Sequence, residues 1–159
     1  MKIISHDDFK IYVTNLSKEI DTYCQENNIK IDYVVPILRN GAVPAVYLAN
    51  NLDIINFAPI QIKKVKQTND EYDYMILLNS LKGLDKDKEY NLLVVESSYN
   101  SGKSVDIALD EIIKTLPKTK ILFACVCVRD KNNLPRNVKK NFYGAEPSEK
   151  LIYPWENIN

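Results

Sequence analysis

The sequence predicts an α/β fold, a mostly parallel sheet flanked by helices, and three observations carry it. Ile31–Ile37 and Lys120–Val128 are nearly unbroken apolar runs of strand-forming residues, as strands buried on both faces require. A third run, Leu92–Val95, is wholly apolar and ends in Glu96. Between these runs apolar residues recur every three or four positions, so strands alternate with helices. At 159 residues, 45% apolar and 26% charged, the chain reads as a single domain over residues 1–159. Such a domain buries about 70% of its unfolded surface and needs no staples.

In chain order, Ser5–Asn28 is a helix, with Phe9, Val13, Leu16, Ile20 and Cys24 on one face. Ser5 and Asp8 stand at capping-box spacing, with Asp in the usual Glu or Gln place. After the strand Ile31–Ile37 comes the turn Leu38–Ala42, then a short helix Val43–Asn50 with Pro44 in its first turn. Ile54–Ile62 is extended and broken by Pro59. The polar stretch Lys63–Asp73 reads as a flexible surface loop, and Tyr74–Leu78 as a strand. Leu81–Tyr90 is a charged connection, and Ser97–Ser101 a polar turn after the strand Leu92–Val95. The helix Gly102–Thr115 has an apolar face at Val105, Leu109, Ile112, Ile113 and Leu116 and is stopped by Pro117. The strand Lys120–Val128 leads to Arg129, a Lys/Asn-rich loop and the short apolar run Leu151–Tyr153.

Composition narrows the partners. The 21 basic and 21 acidic side chains cancel, so no nucleic-acid footprint is expected. No apolar run is long enough to span a membrane, and the N-terminus lacks a signal pattern. Cys24, Cys125 and Cys127 are too few and too unevenly spaced for a disulfide framework or a zinc site, which points to a reducing cytoplasm. Cys125 and Cys127 alternate and should face the same side of their strand as small core residues. His6 is the only histidine and offers no Ser–His or Cys–His pair.

Parallel sheets bind ligands outside the carboxyl ends of their strands. Two chemically pointed turns sit there, Leu38–Ala42 and Glu96–Ser104. Asn100-Ser101-Gly102-Lys103-Ser104 precedes a helix whose first N–H groups are free to meet a phosphate. Gly102 permits close backbone approach, and Ser101 and Ser104 add hydroxyl donors. The plainer alternative is a capping turn with no ligand. A P-loop is excluded, because the required first glycine is Ser97.

Leu92–Ser104 resembles the signature of type I phosphoribosyltransferases: four apolar residues, two acids, two mostly apolar residues, then Asp/Ala-Thr-Gly-x-Thr/Ser. Ile37–Pro44 is similar to that family's pyrophosphate loop, with Arg39, Asn40 and Gly41 in the Arg-Gly-Gly positions. Phe142-Tyr143-Gly144 and Tyr153-Pro154-Trp155-Glu156 resemble the C-terminal hood of the hypoxanthine/xanthine-guanine enzymes. The three stretches occur in family order and span residues 31 to 156.

The resemblance implies a phosphoribosyltransferase that moves the 5-phosphoribosyl group of phosphoribosyl pyrophosphate (PRPP) to a purine nucleobase, releasing pyrophosphate. It implies 5′-phosphate binding by Asn100, Ser101, Gly102, Lys103 and Ser104, and ribose binding by Glu96 and Ser97. Arg39, Asn40 and Gly41 would hold pyrophosphate, and Arg129, Lys150 and Leu151 the base. Glu96 and Asn100 take the catalytic positions, Glu96 and Glu156 the positions near Mg²⁺, and Lys63–Asp73 the place of the lid. Relatives commonly form homo-oligomers.

The chain also departs from the pattern. The second acid is Ser97, the general-base position is Asn100, and the stacking aromatic is replaced by Lys150. Those three changes converge on one site and keep a second reading open: a PRPP motif too degenerate for turnover, in a protein that binds a nucleotide or PRPP for regulation or sequestration. A scaffold making only protein contacts is the third. For single residues, Arg129 could equally form a surface ion pair, Glu156 could belong to a solvated tail, and Trp155 suits packing in the hood.

Overall fold

The structure, a computed structural model, describes residues 1–156. Its elements are β1 (Lys2–Ile3), α1 (His6–Glu26), β2 (Tyr33–Leu38), α2 (Ala42–Asn51), β3 (Ile60–Lys66), β4 (Tyr72–Asn79), β5 (Asn91–Tyr99), α3 (Lys103–Thr115), β6 (Lys120–Val128), β7 (Lys140–Ala145) and β8 (Leu151–Ile152). Short 3-10 turns occur at Ser80–Gly83 and Lys131–Asn133.

Six strands form one sheet in the order β4-β3-β2-β5-β6-β7. All neighbours are parallel except the β3–β4 hairpin. The mostly parallel sheet flanked by helices is therefore the fold observed. Alternation along β5 and β6 feeds two cores. Leu93, Val95, Leu122 and Ala124 pack with Phe9, Val13, Leu16 and Ile20 of α1 and with Ala45 and Leu48 of α2. Leu92, Val94, Ile121 and Phe123 pack with Val105, Ala108, Leu109 and Ile112 of α3. Helix α1 starts as its sequence suggests: the Ser5 hydroxyl accepts from the Asp8 N–H at 3.0 Å, and the Asp8 carboxylate accepts from the Ser5 N–H at 3.1 Å.

Several local expectations are corrected. Lys63–Asp73 is not a loop. Residues up to Lys66 belong to β3, residues from Tyr72 belong to β4, and only 67–71 turn between them. Where an antiparallel hairpin faces water on one side, lysines can point to solvent without leaving a strand. The turn expected over Ser97–Ser101 starts only at Asn100, because β5 runs on to Tyr99 paired with β6. β7 was hidden in a Lys/Asn-rich tail that reads as loop. Cys125 packs with the α3 core, whereas Cys127 sits with the other core, so the two do not share one environment. The hood also draws on the N-terminus: β1 pairs with β8, Lys2 opposite Leu151.

Candidate active site

The carboxyl ends of β2, β5 and β6 lie side by side, because Pro36 pairs with Val95 and Val95 with Ala124. They open into a cavity of about 670 Å³. Most of the residues singled out from sequence line it: Arg39 and Asn40 after β2, Glu96 and Ser97 in β5, Asn100, Ser101, Gly102 and Ser104 leading into α3, and Arg129 after β6. Lys150, Leu151 and Glu156 of the C-terminal segment close another side. Lys103 and Gly41 do not line it. Lys103 is exposed, and Gly41 is buried beneath its turn.

The turn into α3 is open to an anion. Gly102 caps the helix in the left-handed region at φ 76°, and no side chain caps it among the described residues. Neither Ser101 nor Ser104 plays the capping role that would leave the turn with no need of a ligand. The first N–H groups of α3 and its partial positive charge are thus available to a phosphate. A Cβ at Gly102 would overlap the Tyr99 ring and hydroxyl, so the turn needs glycine for space as well as for φ.

Glu96 is shaped for a proton or a hydroxyl. Its Oε1 accepts from the Ser97 N–H at 2.7 Å and from the Ser97 hydroxyl at 3.3 Å. Burial pushes its pKa up to about 7, against the smaller opposite pull of those two donors. A carboxyl poised there changes charge when a ligand brings hydroxyl donors or a cation.

Tyr153 ties the hood to this strand. Its hydroxyl donates to the Ser97 carbonyl at 2.8 Å and lies 2.8 Å from the Ser98 hydroxyl and 3.1 Å from the Cys127 thiol. Burial pushes the Tyr153 pKa upward, so the hydroxyl stays protonated. Tyr153→Phe leaves the Ser97 carbonyl without that donor, which costs about 1–3 kcal/mol. A thermal melt should show a loss of roughly 2–12 °C, and an unchanged melt would show that the link is not structural. Trp155 packs as hood, stacked on Tyr153 at 4.7 Å and edge-on to Phe9 at 4.8 Å.

A second link joins hood and turn. Glu156 Oε1 accepts from Asn40 Nδ2 at 3.3 Å, and its Oε2 accepts from the Tyr153 N–H at 3.0 Å. Glu156 is therefore a fixed wall of the cavity and not a loose tail. Arg129 is exposed and takes part in none of the ion pairs among the described residues, leaving its guanidinium free for a ligand. Sequence reasoning had Lys64 only as part of the lid stretch Lys63–Asp73 and missed Ile62. Ile62 and Lys64 of β3 and Tyr74 of β4 also line the cavity, and Lys64 Nζ sits 3.8 Å above the Tyr72 ring. Cys127 borders the cavity as well.

The family model described as the phosphoribosyl transferase domain matches residues 2–153. The chain belongs to the phosphoribosyl transferase family. No curated protein matches it by sequence. Among solved structures, a purine phosphoribosyltransferase from Pyrococcus horikoshii superposes with a TM-score of 0.78 at 18% identity, over 99% of this chain and 95% of that one. A hypothetical protein from Neisseria gonorrhoeae with bound ppGpp also reaches 0.78 at 18% identity, over 98% and 89%. The Helicobacter pylori xanthine-guanine-hypoxanthine phosphoribosyltransferase reaches 0.71 at 16%, over 97% and 92%. At these identities the likeness is one of fold. No helix among the described residues is long and apolar enough to cross a membrane.

Proposed function

We propose that this phosphoribosyltransferase transfers the 5-phosphoribosyl group of PRPP to a purine nucleobase, a reaction of purine salvage in the cytoplasm. One observation carries the reading: a single cavity is lined by the open α3 turn, by Glu96 and by the Arg39–Asn40 turn. Those are stations for the 5′-phosphate, the ribose hydroxyls and the pyrophosphate of one molecule. The α3 N–H groups with Ser101 and Ser104 bind the 5′-phosphate, with Lys103 adding charge from outside. Ionised Glu96 accepts from the ribose hydroxyls beside Ser97. Arg39 and Asn40 hold the pyrophosphate, on a turn shaped by Gly41. Arg129 donates to the base, beside the Lys150 stem and the Leu151 backbone.

In the reaction the C1′–oxygen bond to pyrophosphate breaks and a bond from C1′ to a ring nitrogen forms. Asn100 has no basic group at neutral pH, so the pyrophosphate oxygens take the proton that the ring nitrogen loses. No group of three or more His, Cys, Asp or Glu side chains suited to a metal occurs among the described residues. The carboxylates that face the cavity, Glu96 and Glu156 among them, fit an Mg²⁺ that draws most of its ligands from substrate oxygens and water. When bound, Mg²⁺ supplies charge neutralisation for the leaving group.

Pyrophosphate release from PRPP and Mg²⁺ tests the reading, across hypoxanthine, guanine, xanthine, adenine and uracil. Release with one purine is the expected result. Silence across the panel from folded protein overturns it. The S101A/S104A double variant should weaken PRPP binding about 10-fold or more, the scale of lost hydrogen bonds to a charged group. Unchanged affinity would remove the phosphate role of the turn.

A second reading, a nucleotide binder without turnover, is favoured by Asn100 and Lys150 at the positions of a base and an aromatic. The gonococcal neighbour, which carries ppGpp, supports it too. Saturable nucleotide binding with no product in the panel would select it.

A further inference from the structure

The end of the cavity over β5 and β6 carries two cations that nothing in the chain answers. Arg129 follows β6, and Lys150 opens the hood just before β8. The hood reaches the same end, because the Tyr153 hydroxyl lies 3.1 Å from the Cys127 thiol of β6. Arg129 and Lys150 both line the cavity, and both are exposed. Neither belongs to an ion pair among the described residues. The acids nearby face elsewhere. Glu149 meets the N-terminal amine at 2.6 Å, and Glu156 is turned toward Asn40 and the Tyr153 N–H. The main chain beneath Lys150 is fixed, since its carbonyl accepts from the Lys2 N–H at 2.9 Å.

That end also offers no aromatic face. Tyr74 and Tyr99 are the only aromatic residues among those lining the cavity. Tyr74 lies on β4, separated from β6 by β3, β2 and β5. Tyr99 turns its ring to Phe123 in the α3 core, with centroids 5.7 Å apart. A base in this place is therefore held by its edges and not by its face.

Edges are read by matching donors to acceptors. A guanidinium and an ammonium present donors only, so the pair fits a base with two ring carbonyls. The Arg129 fork matches the adjacent O6 and N7 of a 6-oxopurine, a bidentate pattern that an ammonium cannot make. Lys150, a point donor, is left for the substituent at C2. Xanthine has a carbonyl there. Guanine has an amine, which would set donor against donor, and hypoxanthine has only a hydrogen. Xanthine is also the most acidic of these bases, and its anion suits an end with two unpaired cations. The same ammonium that attracts xanthine thus rejects guanine.

We propose that Lys150 is a specificity-determining residue, which together with Arg129 selects a 2,6-dioxopurine, xanthine, as the acceptor. The proposal rests on the transferase reading above and narrows its base to one.

The release panel tests it when read as kcat/KM for each base. Xanthine should exceed guanine and hypoxanthine about 10-fold or more, the scale of one hydrogen bond to a charged group. K150M keeps the stem and removes the donor, so the xanthine-to-guanine ratio should fall about 10-fold. K150E offers an acceptor to the guanine amine and should reverse the preference. R129M should lower all the 6-oxopurines together, without moving that ratio. Lys150 is exposed, so its variants should keep the wild-type circular-dichroism spectrum. Preference for any other base of the panel overturns the proposal and leaves the transferase standing. So does a ratio indifferent to both K150M and K150E. Silence across the panel overturns the transferase reading instead. The preference is then read from the Kd values of xanthosine and guanosine monophosphates, where equal affinities overturn the proposal.

Discussion

Glu96→Gln should cut pyrophosphate release about 100-fold or more, the scale set by removing a preorganised electrostatic contact, while leaving the protein folded. The amide oxygen can still accept from the Ser97 N–H, so the local hydrogen bond survives. What disappears is the charge that receives the ribose hydroxyls. The wild-type pH profile should show this from the other side. With the carboxyl pushed up to about 7, PRPP affinity should fall below that pH by as much as tenfold per unit, and E96Q should lose that limb. Stability runs the opposite way. A carboxyl whose folded pKa is raised holds its proton in the fold after the unfolded chain has lost it, so its contribution is greatest in acid. It declines as pH climbs from 4.5 to 7, by roughly 3 kcal/mol at about 1.4 kcal/mol per unit. Denaturant melts of both forms should therefore diverge with pH, with E96Q the more stable at pH 8. A stability difference that ignores pH would mean that Glu96 is not held in a desolvated place. Full activity in E96Q would remove it from the ribose site.

The parallel strands were legible because burial on both faces leaves an unbroken apolar run, and Lys120–Val128 came out with the bounds the structure has. The capping box at Ser5 was equally plain, since it depends on two residues three apart. The solvent-facing strands β3 and β7 were not legible. β3 carries lysines and β7 sits in a Lys/Asn-rich stretch, and a strand exposed on one side has the composition of a loop. At the site, the turns announced themselves by local sequence. The wall formed by Ile62, Lys64 and Tyr74 depends on a hairpin register that no local pattern contains. The Asn40–Glu156 and Ser97–Tyr153 links join residues 116 and 56 apart, and tertiary folding alone brings them together.

Gly41→Ala should be strongly damaging. A Cβ at Gly41 would lie 2.5 Å from the Ile37 carbonyl oxygen and 2.5 Å from that of Val95. Both obstacles are backbone, in the two central strands β2 and β5, so neither can rotate away as the end of a side chain could. Gly41 also donates its N–H to the Ile37 carbonyl at 3.0 Å, and relieving the overlap would stretch that bond. Overpacking of this kind costs about 3 kcal/mol, which for a chain of this size lowers Tm by roughly 6–12 °C. The strands forced apart are those that carry Arg39 and Asn40 on one side and Glu96 on the other, so the two stations for one ligand would separate. A displacement near 1 Å between groups that must act together costs on the order of 100-fold in rate. Gly83→Ala supplies the control, since a Cβ there meets nothing within 4 Å and should leave Tm and activity in place. If G41A melts with G83A and wild type, the turn is not set by the contact between β2 and β5. If it melts low yet turns over normally when folded, the spacing of Glu96 and the Arg39 turn does not govern the reaction.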